Sequence, residues 1–152
     1  MASRILQSLT GRRRMSVMLS PQSKYALRAY IHLFRQPPGV FVKVESIARE
    51  AELPAPYLSK ILKALTEANL IISRRGKNGG VQRNQRCKSV SFLDICTAVG
   101  DPITRAECVL FKQACEKERP CQFHREWSQT KGRLLEYLRR TQVGTTEPRL
   151  LR

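Results

Sequence analysis

Hydrophobic residues recur at helical spacing in five segments of this chain, and turn residues separate those segments. Ser20 followed by Pro21 predicts a helix start, because serine caps free amides and proline is tolerated in a first turn. The helix should end before Pro37, since the residue before a proline disfavours helical geometry. The apolar and aromatic positions of this segment are Tyr25, Leu27, Ala29, Tyr30, Ile31, Leu33 and Phe34.

Two further helical segments follow closely, at residues 45–51 and 57–69, after a short extended stretch at 41–44. The longer one has an apolar face at helical spacing, made of Leu58, Ile61, Leu62 and Leu65. The break between them, residues 52–56, is short and contains two prolines. A short helix, a tight turn and a longer helix predict a helix-turn-helix.

A β-hairpin is predicted directly after these helices. Residues 70–75 have a strand pattern, residues 76–80 contain three glycines, and a return strand begins at Val81. Glycine tolerates the positive φ angles of tight turns, which favours a hairpin tip at this point. We therefore predict a mainly α fold with a small β-wing: a winged helix-turn-helix followed by a long C-terminal helix.

The C-terminal half predicts a helix at 92–99, a loop at about 106–122 and a long helix at about 123–141. The long helix has one apolar stripe, formed by Phe123, Trp127, Thr130, Leu134 and Leu138. We divide the chain into a disordered basic extension (1–17), a winged helix-turn-helix DNA-binding domain (18–88), the loop and long helix (89–141), and a flexible tail (142–152). The extension could instead be an organellar transit peptide, a DNA-following arm or translation from an upstream start codon.

The net charge of the chain indicates the kind of partner that it binds. The chain of 152 residues has 28 Lys and Arg against 12 Asp and Glu, a net charge of +16. Such an excess favours a polyanionic partner, because neutralising phosphates releases counterions. A ribosome-associated, membrane-surface or simply basic protein remains an alternative on charge alone. No apolar run is long enough to cross a bilayer.

The predicted DNA-binding surface lies at the start of the second helix of the motif and on the wing, since recognition helices present their N-terminal residues to base edges. Lys60 could donate to guanine or phosphate, and Arg75 could enter a narrow minor groove. The full predicted set is Lys24, Arg28, Pro54, Pro56, Tyr57, Ser59, Lys60, Lys63, Arg74, Arg75, Lys77 and Asn78.

Four soft or borderline metal donors crowd one short stretch: Cys108, Cys115, Cys121 and His124. Thiolates with an imidazole suit an iron–sulfur cluster or zinc. The other two of the five cysteines have different predicted roles: Cys96 a buried thiol, and Cys87 no functional role. Since the number is odd and no signal peptide is recognisable, we expect a reducing, cytoplasmic setting. No phosphate-binding loop, zincin signature or nucleophile arrangement is present, so we do not expect an enzyme.

The segment from residue 58 to residue 80, LSKILKALTEANLIISRRGKNGG, resembles the signature of the Rrf2 superfamily of bacterial repressors, which includes IscR, NsrR and CymR regulators. The run from Ser23 to Arg28 resembles the first helix of that superfamily. The resemblance implies a homodimer joined through the C-terminal helix. It also implies a cluster held by three loop cysteines, with His124 as the fourth ligand, as in IscR-like members. NsrR-like members instead use an acidic residue at a position that here holds Lys24.

The resemblance thus implies a dimeric repressor of double-stranded operator DNA, controlled by a [2Fe–2S] cluster sensitive to redox state, nitric oxide or iron. Alternatives are a [4Fe–4S] cluster, zinc, or a metal-free protein that acts as a thiol sensor or through a protein partner. The loop spacing differs by one residue from that expected of IscR, which leaves the cluster type open.

Overall fold

The architecture confirms the predicted mainly α fold with a small β-wing. A computed structural model describes residues 19–105, 108 and 120–144. The elements are α1 (Pro21–Arg35), α2 (Val44–Glu50), α3 (Ala55–Glu67), β1 (Ile71–Arg74), β2 (Gly80–Arg83), α4 (Phe92–Ala98), a 3-10 turn (Pro102–Thr104) and α5 (His124–Arg140). The predicted extension, most of the cysteine loop and the end of the tail lie outside the described residues.

Helix α1 begins and ends where its local signals predict. The Ser20 hydroxyl accepts a hydrogen bond of 3.1 Å from the amide of Ser23 and so caps the helix. At the other end, Gln36 is already extended, one residue before Pro37. One face of α1 is buried in the core, including Ala26, Tyr30 and Leu33.

The helix-turn-helix consists of α2 and α3. Helix α3 begins at Ala55, two residues earlier than predicted, because Pro56 falls in the first turn, where its missing amide has no helical partner to lose. Its apolar face packs as predicted, with Leu58, Ile61 and Leu65 fully buried. Helix α2 begins at Val44 rather than at 45, so the extended stretch before it is shorter than predicted.

Strands β1 and β2 form an antiparallel hairpin, the wing, in which Ile71 pairs with Arg83 and Arg74 with Gly80. The return strand starts one residue before the predicted Val81. Val42 adds a bridge at the edge of the hairpin, with hydrogen bonds of 2.8 and 2.9 Å to Val81. The wing is therefore anchored to the segment before α2.

Helices α4 and α5 pack together behind the helix-turn-helix, and one continuous core includes residues of α1, α3 and α4. Ser91 caps α4 through a reciprocal hydrogen-bond pair with Asp94. After α5, Gln142 forms an isolated antiparallel β-bridge with Ser91, and the amide of Val143 donates a hydrogen bond of 2.9 Å to the carbonyl of Val90. The flexible tail was predicted from Gln142, yet Val143 is buried, so the packed chain extends beyond that boundary.

The stripe predicted along α5 is only partly packed within the chain. Leu138 is 1% exposed, whereas Phe123 is 52% exposed and lies just before the helix. No helix among the described residues is long and apolar enough to cross a membrane.

Candidate functional site

The exposed face of α3 and the wing together form a polar, basic surface. The core side of α3 is buried, and its opposite side carries Ser59, Lys60 and Lys63, all exposed as predicted. Every other predicted DNA-binding residue at the helix start and on the wing is also exposed: Pro54, Pro56, Tyr57, Arg74, Arg75, Lys77 and Asn78. The structure thus brings the two predicted patches to solvent without a buried charge.

An aromatic contact positions the start of α3. The ring of Tyr57 is 54% exposed and meets the ring of Tyr25 edge to face, with centroids 6.2 Å apart. Such pairs contribute on the order of 1 kcal/mol beyond their burial. The sequence identified Tyr25 only as an apolar position of α1, because its partner is 32 residues away along the chain.

Two predicted DNA-binding cations form exposed ion pairs. The Arg28 guanidinium lies 3.6 Å from the Glu52 carboxylate, and the Lys63 ammonium lies 3.8 Å from that of Glu67. Exposed pairs of this kind contribute about 0–1 kcal/mol, so a phosphate can replace the carboxylate at little cost. Lys24 is exposed on the same helix as Arg28.

A groove of about 700 Å³ separates α3 from the wing. Its walls include Ser59 and Lys63 from the helix and Arg74 and Arg75 from the wing. Three of these four side chains are cationic, which suits a polyanion strand. The groove therefore joins the two patches into one surface.

The wing contains contacts that sequence reasoning missed. The Arg74 guanidinium lies 4.0 Å from the centre of the Phe41 ring and donates a hydrogen bond of 2.9 Å to the Asn78 carbonyl. Lys43 donates to the carbonyl of Lys77. Arg74 was predicted to contact DNA, but its guanidinium here contacts the protein itself. Phe41 and Lys43 carried no sequence signal for this role.

The predicted metal ligands are only partly described. Cys108 is half-buried, Cys121 is exposed, and Cys115 lies outside the described residues. His124 is the first residue of α5, and its amide donates to the Cys121 carbonyl at 3.0 Å. Within the described ranges, no three Cys, His, Asp or Glu side chains are grouped closely enough to hold a metal ion.

One observation at His124 suits a metal ligand. Its Nδ1 atom is buried and has no hydrogen-bond partner among the described residues, while its Nε2 atom lies 3.3 Å from the Ser128 hydroxyl. A ligating histidine commonly uses one nitrogen for the metal and the other for such a hydrogen bond. The donor set therefore fits an iron–sulfur cluster or zinc in its chemistry.

The remaining cysteines have structural surroundings. Cys96 is fully buried, and burial, followed by the nearby Asp101 charge, raises its pKa to about 11. Cys87 is half-buried, and its thiol donates to the Asn69 carbonyl at 3.5 Å. The burial of the Cys96 thiol, which makes it a poor nucleophile, was predicted from the sequence.

A buried carboxylate, which no sequence pattern indicated, joins the two halves of the chain. Asp101 is 2% exposed and accepts hydrogen bonds of 2.9 Å from the amides of Ser20 and Ile103. Burial alone would raise the pKa of Asp101, but these bonds and those from the Ser23 and Ser20 side chains hold it below its ordinary value. The N-terminus of α1 is thereby fixed to the segment leading toward Cys108.

The outer face of α5 is apolar and open. A groove of about 570 Å³ is lined by Ile103, Trp127, Leu134 and Tyr137, among others. Tyr137 is 61% exposed, and the indole N–H of Trp127 is buried without a hydrogen-bond partner among the described residues.

Comparisons with known proteins agree with this architecture. The profile of the family described as "Rrf2: Iron-dependent Transcriptional regulator" matches residues 19–145. A protein of Aquifex aeolicus named as an HTH-type transcriptional regulator is 28% identical over 131 residues, covering 84% of this chain and 89% of that protein. A similarly named protein of Synechocystis sp. is 32% identical over 85 residues, 56% of this chain and 58% of that protein.

Two solved structures share the fold. CymR, the global cysteine regulator of B. subtilis, matches with a TM-score of 0.65 and 23% identity, covering 82% of this chain and 91% of that one. IscR of T. potens matches with a TM-score of 0.63 and 22% identity, covering 85% of each chain.

Proposed function

Because this chain belongs to the Rrf2 family of iron-dependent transcriptional regulators, we propose that it is a homodimeric repressor whose affinity for operator DNA is controlled by an iron–sulfur cluster. Family membership makes the chain a transcriptional regulator rather than an enzyme, as the sequence predicted. The DNA contacts, the dimer and the cluster are the proposed part.

The observation that carries the DNA proposal is the continuous exposed surface of α3 and the wing. Its cations face solvent on the side opposite the core residues Leu58 and Ile61. In this proposal the first turns of α3 enter the major groove, where Tyr57 and Lys60 reach base edges. Arg75 enters the minor groove, and Lys24 and Arg28 contact phosphates.

The outer face of α5 supports the dimer. The exposed Tyr137 and the half-buried Trp127 and Leu134 line a groove there, and apolar patches of this kind mark interaction surfaces. We assign this face to a second copy of the chain, since a twofold pair of winged domains matches the symmetry of a palindromic operator. Tyr137 and Trp127 would be the central contacts.

Cys108, Cys115, Cys121 and His124 would hold the cluster. The structural observation that supports this ligand set is the buried Nδ1 atom of His124, which has no hydrogen-bond partner within the part of the chain that the structure describes. A bound [2Fe–2S] cluster supplies a centre whose oxidation, nitrosylation or loss changes the state of the protein. His124 is the first residue of α5, and Cys108 follows Asp101 by seven residues, so the ligand segment connects the Asp101 junction to α5 along the chain.

The proposed switch is a linkage between ligand binding and two arrangements of the dimer. The four ligands restrain the loop against the first turn of α5, and α5 sets the separation of the two α3 helices. For the cluster to act as a switch, the protein must bind it more tightly in one arrangement than in the other.

Anaerobic purification tests the proposal. Iron and acid-labile sulfide should co-purify with the wild type, and His124→Ala should reduce both. His32→Ala is a matched control, because His32 lies on α1 and pairs at 3.3 Å with Glu50, outside the ligand segment. A colourless protein that contains zinc would contradict the iron–sulfur proposal and favour a zinc site. A metal-free protein would contradict it too, and would favour a thiol sensor or a regulator that acts through a protein partner.

A further inference from the structure

We infer that Phe41, Lys43 and Arg74 are positioning residues that brace the wing tip for DNA, and that Arg75 is the arginine of the pair that contacts DNA. This inference rests on the proposed DNA-binding function and refines it. It gives the two adjacent arginines, both exposed on the wing, different roles: Arg74 holds the wing tip, and Arg75 contacts DNA.

The brace begins with the attachment of the wing to the segment before α2. Val42 and Val81 exchange two backbone hydrogen bonds, of 2.8 and 2.9 Å, at the edge of the hairpin. Phe41 and Lys43 flank Val42, so this bridge fixes the backbone from which both side chains extend. The segment is therefore attached to β2 through a single β-bridge.

Two cations then hold two successive carbonyl groups of the wing tip. The Arg74 guanidinium lies 4.0 Å from the Phe41 ring centre, within the range of a cation–π contact, and donates to the Asn78 carbonyl. Lys43 donates to the carbonyl of Lys77. These contacts leave the side chains of Lys77 and Asn78 exposed while fixing their backbone.

Close backbone contacts at the wing tip leave room only for glycine. A Cβ at Gly79 would lie 2.3 Å from the Arg74 carbonyl oxygen, and one at Gly80 would lie 2.3 Å from that of Val42. Gly80 has a φ of +148°, which L side chains rarely adopt. The return of the chain is therefore held against both β1 and the flanking segment.

An ordered wing should favour DNA binding. A DNA contact depends on the placement of its donor, and an ordered wing does not have to give up backbone freedom when it binds. Arg74 already has an aromatic and a carbonyl partner within the protein. Arg75 is exposed where the strand ends and the turn begins, so its side chain is the one placed to reach the minor groove.

A double-mutant cycle tests the brace. The probe is a DNA duplex enriched from a randomised library by the wild-type protein, and the variants are Phe41→Leu, Arg74→Gln and both together. Each single variant should weaken binding about two- to thirtyfold, and the double variant should be no weaker than the worse single one. Phe41→Leu changes no charge, so it should leave the salt dependence of binding unchanged.

Arg75→Gln should behave differently. It should lower the slope of log affinity against log salt by about one, because it removes one cation from the DNA interface, and its effect should add to that of Phe41→Leu. Additive losses for Phe41→Leu and Arg74→Gln, with a reduced slope for Arg74→Gln, would make Arg74 a DNA contact and overturn the inference.

Amide hydrogen exchange in the DNA-free protein separates this inference from the proposed function. Exchange at residues 76–79 should accelerate in Phe41→Leu, Arg74→Gln and Lys43→Met. Phe34→Leu is the control, because it removes the stack of Arg83 on Phe34, 4.9 Å from the ring centre, at the base of the same hairpin. Unchanged exchange in all three brace variants contradicts the brace, whereas a wild type that selects no duplex contradicts the proposed function alone. Lys43→Met and Arg74→Gln carry the test if Phe41→Leu fails to fold.

Discussion

The amide of Ser20 donates a hydrogen bond of 2.9 Å to the carboxylate of Asp101, across 81 residues of sequence. Ser20 caps α1, the helix that carries Lys24 and Arg28, and Asp101 precedes the 3-10 turn before Cys108. The same carboxylate accepts from the amide of Ile103 at 2.9 Å. A single buried charge therefore connects the N-terminus of α1 with the segment that leads toward Cys108.

Replacing this carboxylate should destabilise the fold. Asp101→Asn turns an acceptor oxygen into an NH₂ group facing backbone donors, which should cost roughly 1–3 kcal/mol of unfolding free energy. Urea denaturation at neutral pH measures the difference. Glu67→Gln removes a charge from an exposed ion pair and should change stability by less than about 1 kcal/mol. Equal effects of the two variants would remove Asp101 from the account.

The same group predicts an acid dependence. Although burial opposes it, hydrogen bonding holds the Asp101 pKa below its ordinary value of 3.8 in the folded state. A depressed pKa stabilises the fold at pH values above the unfolded pKa, and that stabilisation is lost as the pH falls through the folded pKa. The unfolding free energy should therefore fall less between pH 6 and pH 3 in Asp101→Asn than in the wild type. Parallel curves would contradict the assignment.

DNA binding should depend on the wing. Arg75→Ala should weaken binding to the selected duplex by about 1–3 kcal/mol, because its side chain is assigned to the minor groove. Gel-shift titration at fixed salt gives the value. Arg139→Ala provides a matched control, since it removes an exposed arginine from the last turn of α5. An affinity unchanged by Arg75→Ala would exclude the wing from recognition.

The outer face of α5 should hold the dimer together. Tyr137→Glu places a charge in the apolar groove and should shift the protein toward monomer, as measured by sedimentation equilibrium. Gln129→Glu introduces the same charge at an exposed position of the same helix outside the residues lining that groove. A dimer that survives Tyr137→Glu as well as it survives Gln129→Glu would place the subunit interface elsewhere.

Local sequence signals account for much of this fold, and long-range pairing accounts for what they missed. The start of α1 at Pro21 and the buried face of α3 follow from a cap and a periodic pattern, which are properties of neighbouring residues. The packing of Val143 against Val90 and the stack of Arg74 on Phe41 join residues more than 30 positions apart. No local pattern encodes such partners.

The candidate site shows the same division. Exposure of Lys60, Lys63 and Arg75 was predictable, because each lies opposite or beyond an apolar pattern. The contacts of the Arg74 side chain within the protein were not predictable, since two adjacent arginines look alike in a sequence. All four metal ligands remain predictions, and one of them, Cys115, lies outside the described residues.

The most direct test compares operator affinity and cofactor content before and after metal removal, in the wild type and in a variant with Cys108, Cys115 and Cys121 all changed to alanine. The anaerobic wild type should carry iron and sulfide, and its affinity for the selected duplex should change at least about tenfold on removal, a coupling free energy of about 1.4 kcal/mol. The triple variant should lack the cluster and show no such change. A wild type without iron, or an affinity indifferent to removal, would contradict a cluster-controlled repressor.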